Sequence, residues 1–182
     1  MKNIVFVCGP DRTGKTEITK ALSSFLGVPR YKASTEHNGF LSNQERFLND
    51  IRYSCPARLD LLKQLNSGVV YDRGYPCEWV YSRFFKRQSD DNVIKWLDSQ
   101  YAQMGAVIVV TARRSFKGIV DDLNSDISEP ELNELSSLYN DFASIATSCR
   151  VLKLYVDDEN LQREVSDIVN FLNSNEMRDI KG

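Results

Sequence analysis

The sequence predicts an α/β fold of three layers, a five-stranded parallel sheet between helices, in a single domain over residues 1–182. Three observations predict it. Short apolar runs alternate with stretches of helical spacing along the whole chain. Several of these runs are almost unbroken Val, Ile, Leu, Phe and Tyr, which suits strands covered on both faces better than the alternation of a half-solvated sheet. The first run leads into GPDRTGKT, Gly9 to Thr16, and then into a helical stretch, the strand, loop and helix order of a phosphate-binding fold.

In chain order the strands fall at Asn3–Cys8, Val28–Tyr31, Val69–Asp72, Ala106–Thr111 and Val151–Val156. Helical spacing fills about 15–26, 43–66, 76–88, 91–103, 130–148 and 158–174, giving βαβ units with right-handed crossovers. The first helix carries apolar residues at 18, 21, 22, 25 and 26 and is closed by Gly27. Gly68 is the corresponding cap candidate for the long second region, which Cys55-Pro56 kinks or splits. Ser128-Glu129-Pro130-Glu131 marks a helix start, with Pro in the first turn and acids at the positive end of the dipole. Residues 173–182 read as a flexible tail.

The 182 residues, 42% of them hydrophobic, suffice for one full core and would make a second domain cramped. A net charge of −2 gives no global positive field toward nucleic acid or a membrane. No apolar stretch approaches the length of a membrane span and no leader pattern opens the chain, so the expectation is a cytoplasmic protein without a membrane partner. Cysteines 8, 55, 77 and 149 form no C-x-x-C pair and read as reduced thiols, Cys8 as a small hydrophobe in a buried strand.

GPDRTGKT fits G-x-x-x-x-G-K-[ST]. With glycine near 7% of residues, a chance match in a chain of this size has a probability on the order of 1%. In this pattern Gly9 and Gly14 allow the backbone to curl, the loop Pro10, Asp11, Arg12 and Thr13 surrounds a phosphate with the N–H groups from Asp11 onward, Pro10 having none, Lys15 supplies positive charge and Thr16 ligates Mg²⁺. The following helix aims its N-terminus at the same anion.

The third strand ends in Asp72-Arg73. In an open α/β sheet the ligand crevice lies at the carboxyl ends of the strands, so this pair faces the same cleft as the loop. A carboxylate there holds Mg²⁺ or accepts a proton, and an arginine clamps phosphate oxygens; the bland alternative is a solvated turn with an internal ion pair.

With these residues the chain resembles the thymidylate kinase group of nucleoside and nucleotide kinases: GPDRTGKT, then an apolar strand ending in Asp-Arg, then Val80-Tyr81-Ser82. Some members carry the same Asp-Arg inside the loop. The resemblance implies a P-loop kinase fold, ATP and Mg²⁺ as cofactors, and a nucleotide or nucleoside acceptor. It also implies that Arg12 reaches toward the transferring phosphoryl group, Asp11 lies near the acceptor's sugar, Arg73 orients the acceptor and Asp72 works near the metal. The leading expectation is transfer to a pyrimidine deoxynucleotide. The alternative is a hydroxyl acceptor, either a deoxynucleoside or a hydroxymethylated pyrimidine in DNA as in phage kinases, with Glu36 or Asp72 as base. A homodimer is admitted; a non-catalytic nucleotide-binding module is the remaining reading, and a GTPase is disfavoured by the lack of D-x-x-G and N-K-x-D.

Residues 112–130 are a lid candidate in which Arg113 and Arg114 contact the donor, against a solvated basic face balanced by Asp121-Asp122. The chain departs from the family in lacking a helix with well-spaced arginines before a long lid. Phe47, Arg52, Tyr53 and Arg58 are candidates for an acceptor-base pocket. In Ser82–Arg87 the bland reading places Phe84 and Phe85 partly in the core and the cations outside. His37 reads as solvated.

Overall fold

The computed structural model describes residues 3–32, 44–119 and 127–174. Strands β1 (Ile4–Cys8), β2 (Arg30–Lys32), β3 (Val69–Asp72), β4 (Val107–Ala112) and β5 (Arg150–Tyr155) form one parallel sheet in the order β2-β3-β1-β4-β5. The helices are α1 (Lys15–Leu26), α2 (Gln44–Asn49), α3 (Cys55–Leu65), α4 (Tyr75–Phe84), α5 (Asp91–Gln103), α6 (Glu129–Asp141) and α7 (Leu161–Asn173).

Alternate residues of β1 feed two separate cores. Val5 and Val7 pack with Ile18 and Leu22 of α1 and Ile168 of α7. Ile4, Phe6 and Cys8 face the other way, into a core with Leu59, Val80, Leu97 and Tyr139 from α3, α4, α5 and α6. Both faces of β1 are therefore covered, which is why its sequence shows no polar alternation. Aromatic packing dominates the second core: Phe6 stacks on Tyr71 at 4.5 Å, and Tyr75 on Tyr101 at 5.6 Å.

Several expected boundaries shift. The edge strand β2 starts at Arg30, not Val28, because only Arg30–Lys32 pair with β3. The long region 43–66 is one helical run with a wide turn at Asp50–Ser54, where the Cys55 N–H bonds back to the Asp50 carbonyl. Pro56 has no N–H and crowds the carbonyl four residues earlier, so widening the turn relieves the clash that the sequence flags. Gly68 is not the cap: Asn66 takes the left-handed position at φ 54, while a Cβ on Gly68 would lie 2.6 Å from the Asn3 carbonyl oxygen. α4 stops at Phe84 instead of running to 88. α6 continues past Asp141 only as a second wide turn, Phe142–Ala146. Gly27 caps α1 and α6 starts at Glu129, both as expected; at that start Glu131 also accepts from N and Oγ of Ser128. Helix α7 extends to Asn173, and residues 175–182 of the expected tail lie outside the described residues.

Candidate functional site

β1 lies between β3 and β4, and the chain leaves β1 toward one side of the sheet and returns on the other. That switch point places GPDRTGKT at the carboxyl edge, with Asp72 paired to Val7 and the Arg73 N–H bonded to the Val7 carbonyl at 3.0 Å. The two motifs are neighbours by register.

The loop is anchored on Thr111, at the end of β4. Thr111 Oγ1 donates to the Cys8 carbonyl at 3.0 Å and lies 2.7 Å from Thr13 Oγ1; Thr13 also donates to the Pro10 carbonyl at 2.8 Å. Arg12 and Gly14 hold left-handed φ of 64 and 66. Lys15, buried at the first turn of α1, donates to the Pro10 carbonyl and lies 3.8 Å from Asp11. Burial pushes its ammonium down to about 8, with Arg73 adding to that and Asp11 opposing it.

Thr16 Oγ1 donates to Asp72 Oδ2 at 3.2 Å, bringing together the two residues expected at a metal. Arg73, at φ 71, donates to Asp11 and to the Tyr81 hydroxyl at 3.0 Å. Burial opposes its charge, but Tyr81 and Asp11 together keep Arg73 firmly protonated. Arg12 turns the other way and donates to the Ile119 and Ile127 carbonyls, the two described ends flanking 120–126 of the lid candidate. The Arg113 side chain is 7% exposed: Nε donates to the Arg12 carbonyl at 2.7 Å and Nη2 to Glu159 at 2.8 Å, so this cation braces the loop. Arg114 is exposed, over the ring of Tyr155. Glu36, His37, Asp121 and Asp122 lie outside the described residues.

Beside Arg73 opens a cavity of about 390 Å³ between α2, α3 and α4. Its walls are aromatic, and three of the rings carry a guanidinium: Arg58 over Tyr31 at 4.9 Å, Arg87 over Phe47 at 3.8 Å and Arg73 over Tyr81 at 5.5 Å. Of the four pocket candidates, Phe47 and Arg58 line it; Tyr53 is exposed and Arg52 pairs with Asp90 at the surface. The reading of Ser82–Arg87 as outward cations is corrected at Arg87, which is 5% exposed and forms a two-pronged pair with Glu78, one prong at 2.6 Å. A carboxylate in α4 that is only 10% exposed needs such a partner, and burial still pushes the Glu78 carboxyl up against it. Glu78, Tyr31, Thr111 and Arg30 escaped the sequence reading. Only Thr111 left a signal there, a hydroxyl closing an otherwise apolar strand.

No protein-family model and no curated protein matches the chain. Solved structures do. The YorR protein of Bacillus subtilis, determined in complex with phosphorylated GDP, is 17% identical with a TM-score of 0.69, over 93% of this chain and 95% of that one. Deoxyadenosine kinase from M. mycoides, with dCMP and dCDP, is 19% identical with a TM-score of 0.57, over 97% and 100%. The fold is that of the P-loop nucleoside and nucleotide kinases. Thymidylate kinase from Candida albicans, 12% identical, matches at a TM-score of 0.60 over 96% of this chain and 92% of its own. Among the described residues no helix is long and apolar enough to cross a membrane.

Proposed function

We propose that this chain is a kinase that transfers the terminal phosphoryl group of ATP to a pyrimidine deoxynucleotide. One observation carries the reading: a single side chain, Arg73, joins the phosphate-binding loop through Asp11 to the aromatic cavity through Tyr81. Donor and acceptor then meet at its guanidinium.

In this reading the N–H groups of residues 11–16, at the start of α1 and in the loop before it, hold the donor's phosphates. Lys15 swings from the Pro10 carbonyl onto the phosphate oxygens. Arg12, braced through its own carbonyl by Arg113, leaves the Ile119 and Ile127 carbonyls to neutralise charge on the group in transit, and Arg114 with Tyr155 flanks the donor's base. Thr16 and Asp72 are hard oxygen donors side by side, and the described residues contain no cluster of three His, Cys, Asp or Glu. That set fits Mg²⁺, which takes one or two protein oxygens and completes its shell with water and substrate phosphates. When bound, Mg²⁺ supplies neutralisation of the phosphate charge. The loose transition state of phosphoryl transfer needs little beyond this positioning and charge balance. The acceptor's base stacks among Tyr31, Phe47, Tyr81 and Phe85, with the Glu78–Arg87 pair at its polar edge.

The likeness to a deoxyadenosine kinase supports a second reading, a deoxynucleoside hydroxyl as acceptor. Asp72 Oδ2 is already engaged by Thr16 and Arg30, which leaves Glu36 as the base in that case. A cavity of about 390 Å³ suits one nucleoside, favouring a free monomer over a hydroxymethylated base in DNA. Incubation with γ-labelled ATP and Mg²⁺ against deoxynucleosides, their monophosphates and DNA with plain or hydroxymethylated pyrimidines separates these readings. Label on a pyrimidine monophosphate is expected; label on nucleosides alone, abolished by Glu36→Gln, establishes the second reading, and no transfer to any acceptor leaves a non-catalytic binding module.

A further inference from the structure

Asp72 is 1% exposed, and a carboxylate so deep in a sheet edge is tolerated only with hydrogen-bonded partners. It has two on one oxygen: Thr16 Oγ1 at 3.2 Å and Arg30 Nη2 at 2.5 Å, both meeting Oδ2. The arginine fork is held from behind, since Nε donates to Thr19 Oγ1 at 2.9 Å and Thr19 Oγ1 donates to the Thr16 carbonyl at 3.0 Å. These bonds close a ring, Thr16 to Asp72 to Arg30 to Thr19 and back to Thr16, joining α1, β3 and the edge strand β2. Register explains how β2 takes part. Lys32 is the partner of Asp72 and Arg30 the partner of Val70, so Arg30 lies on the α1 side of the sheet, two residues upstream, from where only a long side chain reaches. Arg30 is the one residue of that three-residue strand that the sheet partly buries.

We propose that Arg30 is the positioning residue of the donor site: it holds the Asp72 carboxylate against the Thr16 hydroxyl and thereby sets the affinity of that oxygen pair for a divalent cation. The inference rests on the reading of Thr16 and Asp72 as the metal-side pair. A planar fork that spans Asp72 and Thr19 at once fixes the place of that carboxylate oxygen relative to α1, which a point charge does not. Loss of such an outer partner weakens metal binding by about 10–100-fold. Simple competition between the guanidinium and the metal for the same oxygen has the opposite sign, so the direction of the effect decides between the two.

The test is binding of a fluorescent, non-hydrolysable ATP analogue while Mg²⁺ is titrated, with wild type, Arg30→Met and Arg30→Lys, and a parallel titration in EDTA. Arg30→Met is expected to raise the half-saturating Mg²⁺ concentration about tenfold or more, while affinity for the analogue in EDTA changes less than twofold. Arg30→Lys, which keeps the charge but not the fork, is expected to fall between, and carries the same measurement should the Met variant not fold. An unchanged or lowered Mg²⁺ requirement in a folded variant overturns the proposal. So does an equal loss of affinity with and without Mg²⁺, which makes Arg30 a purely structural strut. A wild type indifferent to Mg²⁺ sinks the metal reading of Thr16 and Asp72 and this proposal with it; a responsive wild type matched by Arg30→Met sinks the role of Arg30 alone.

Discussion

The two glycines of GPDRTGKT serve different physical needs, and substituting each by alanine separates them. A Cβ on Gly9 would lie 2.2 Å from Thr111 Oγ1 and 2.5 Å from the Thr111 carbonyl oxygen, at φ 143. Thr111 cannot turn aside cheaply, because its hydroxyl is bonded to both the Cys8 carbonyl and Thr13. A Cβ on Gly14 meets nothing within 4 Å, and only its φ of 66 is unfavourable. Left-handed backbone costs a non-glycine residue about 1–2 kcal/mol, and forced overlap in a packed site adds about 1–3 kcal/mol. Gly9→Ala is therefore expected to destabilise by about 2–5 kcal/mol and Gly14→Ala by about 1–2 kcal/mol, each offset by a few tenths through the stiffer unfolded chain. Urea denaturation followed by circular dichroism measures both. Gly9→Ala should also loosen nucleotide binding, since the loop's anchor on β4 is displaced. A Gly9→Ala protein within about 0.5 kcal/mol of wild type, or one no worse than Gly14→Ala, refutes the anchoring of the loop on Thr111.

Lys15→Ala is expected to lower phosphoryl transfer by several orders of magnitude, roughly the scale of a lost transition-state cation, with an unchanged circular dichroism spectrum; equal activity in the variant contradicts the donor role. The depressed Lys15 ammonium predicts that binding of the ATP analogue takes up a proton above about pH 8 and weakens as pH rises further, read by calorimetry in buffers of different ionisation heat. The same shift makes the unfolded chain the better proton binder between about 8 and 10.5, so the contribution of Lys15 to the stability of the free protein rises with pH across that window. Arg87→Met strands Glu78 inside the cavity and is expected to cost about 3–5 kcal/mol in urea denaturation, whereas the paired Glu78→Gln/Arg87→Met variant recovers part of it. A loss below about 1 kcal/mol in the single variant means that the pair is not buried as described.

The fold was legible because its strongest signals are local. An unbroken apolar β1, the helical spacing after Lys15 and a cap at Gly27 each follow from a few adjacent residues. Asp72-Arg73 could be placed beside the loop from the general geometry of parallel sheets, and the Val7–Asp72 register bears that placement out. What stayed hidden depends on contacts far apart in sequence. Arg87 reads as a surface cation until helix α2 brings Phe47 over it, and Arg30 looks like a strand-end charge until β2 docks beside β3. The wide turn at Asp50–Ser54 escaped notice because Pro56 announces a distortion without saying whether the helix breaks, bends or widens.

The central claim is that the loop between β1 and α1 grips the triphosphate of a donor nucleotide. A crystal soaked with a non-hydrolysable ATP analogue and Mg²⁺ tests it directly. Phosphate density cradled by the N–H groups of residues 11–16, within hydrogen-bond reach of Lys15, is the expected result; a triphosphate bound elsewhere on the molecule, with those groups unengaged, contradicts it.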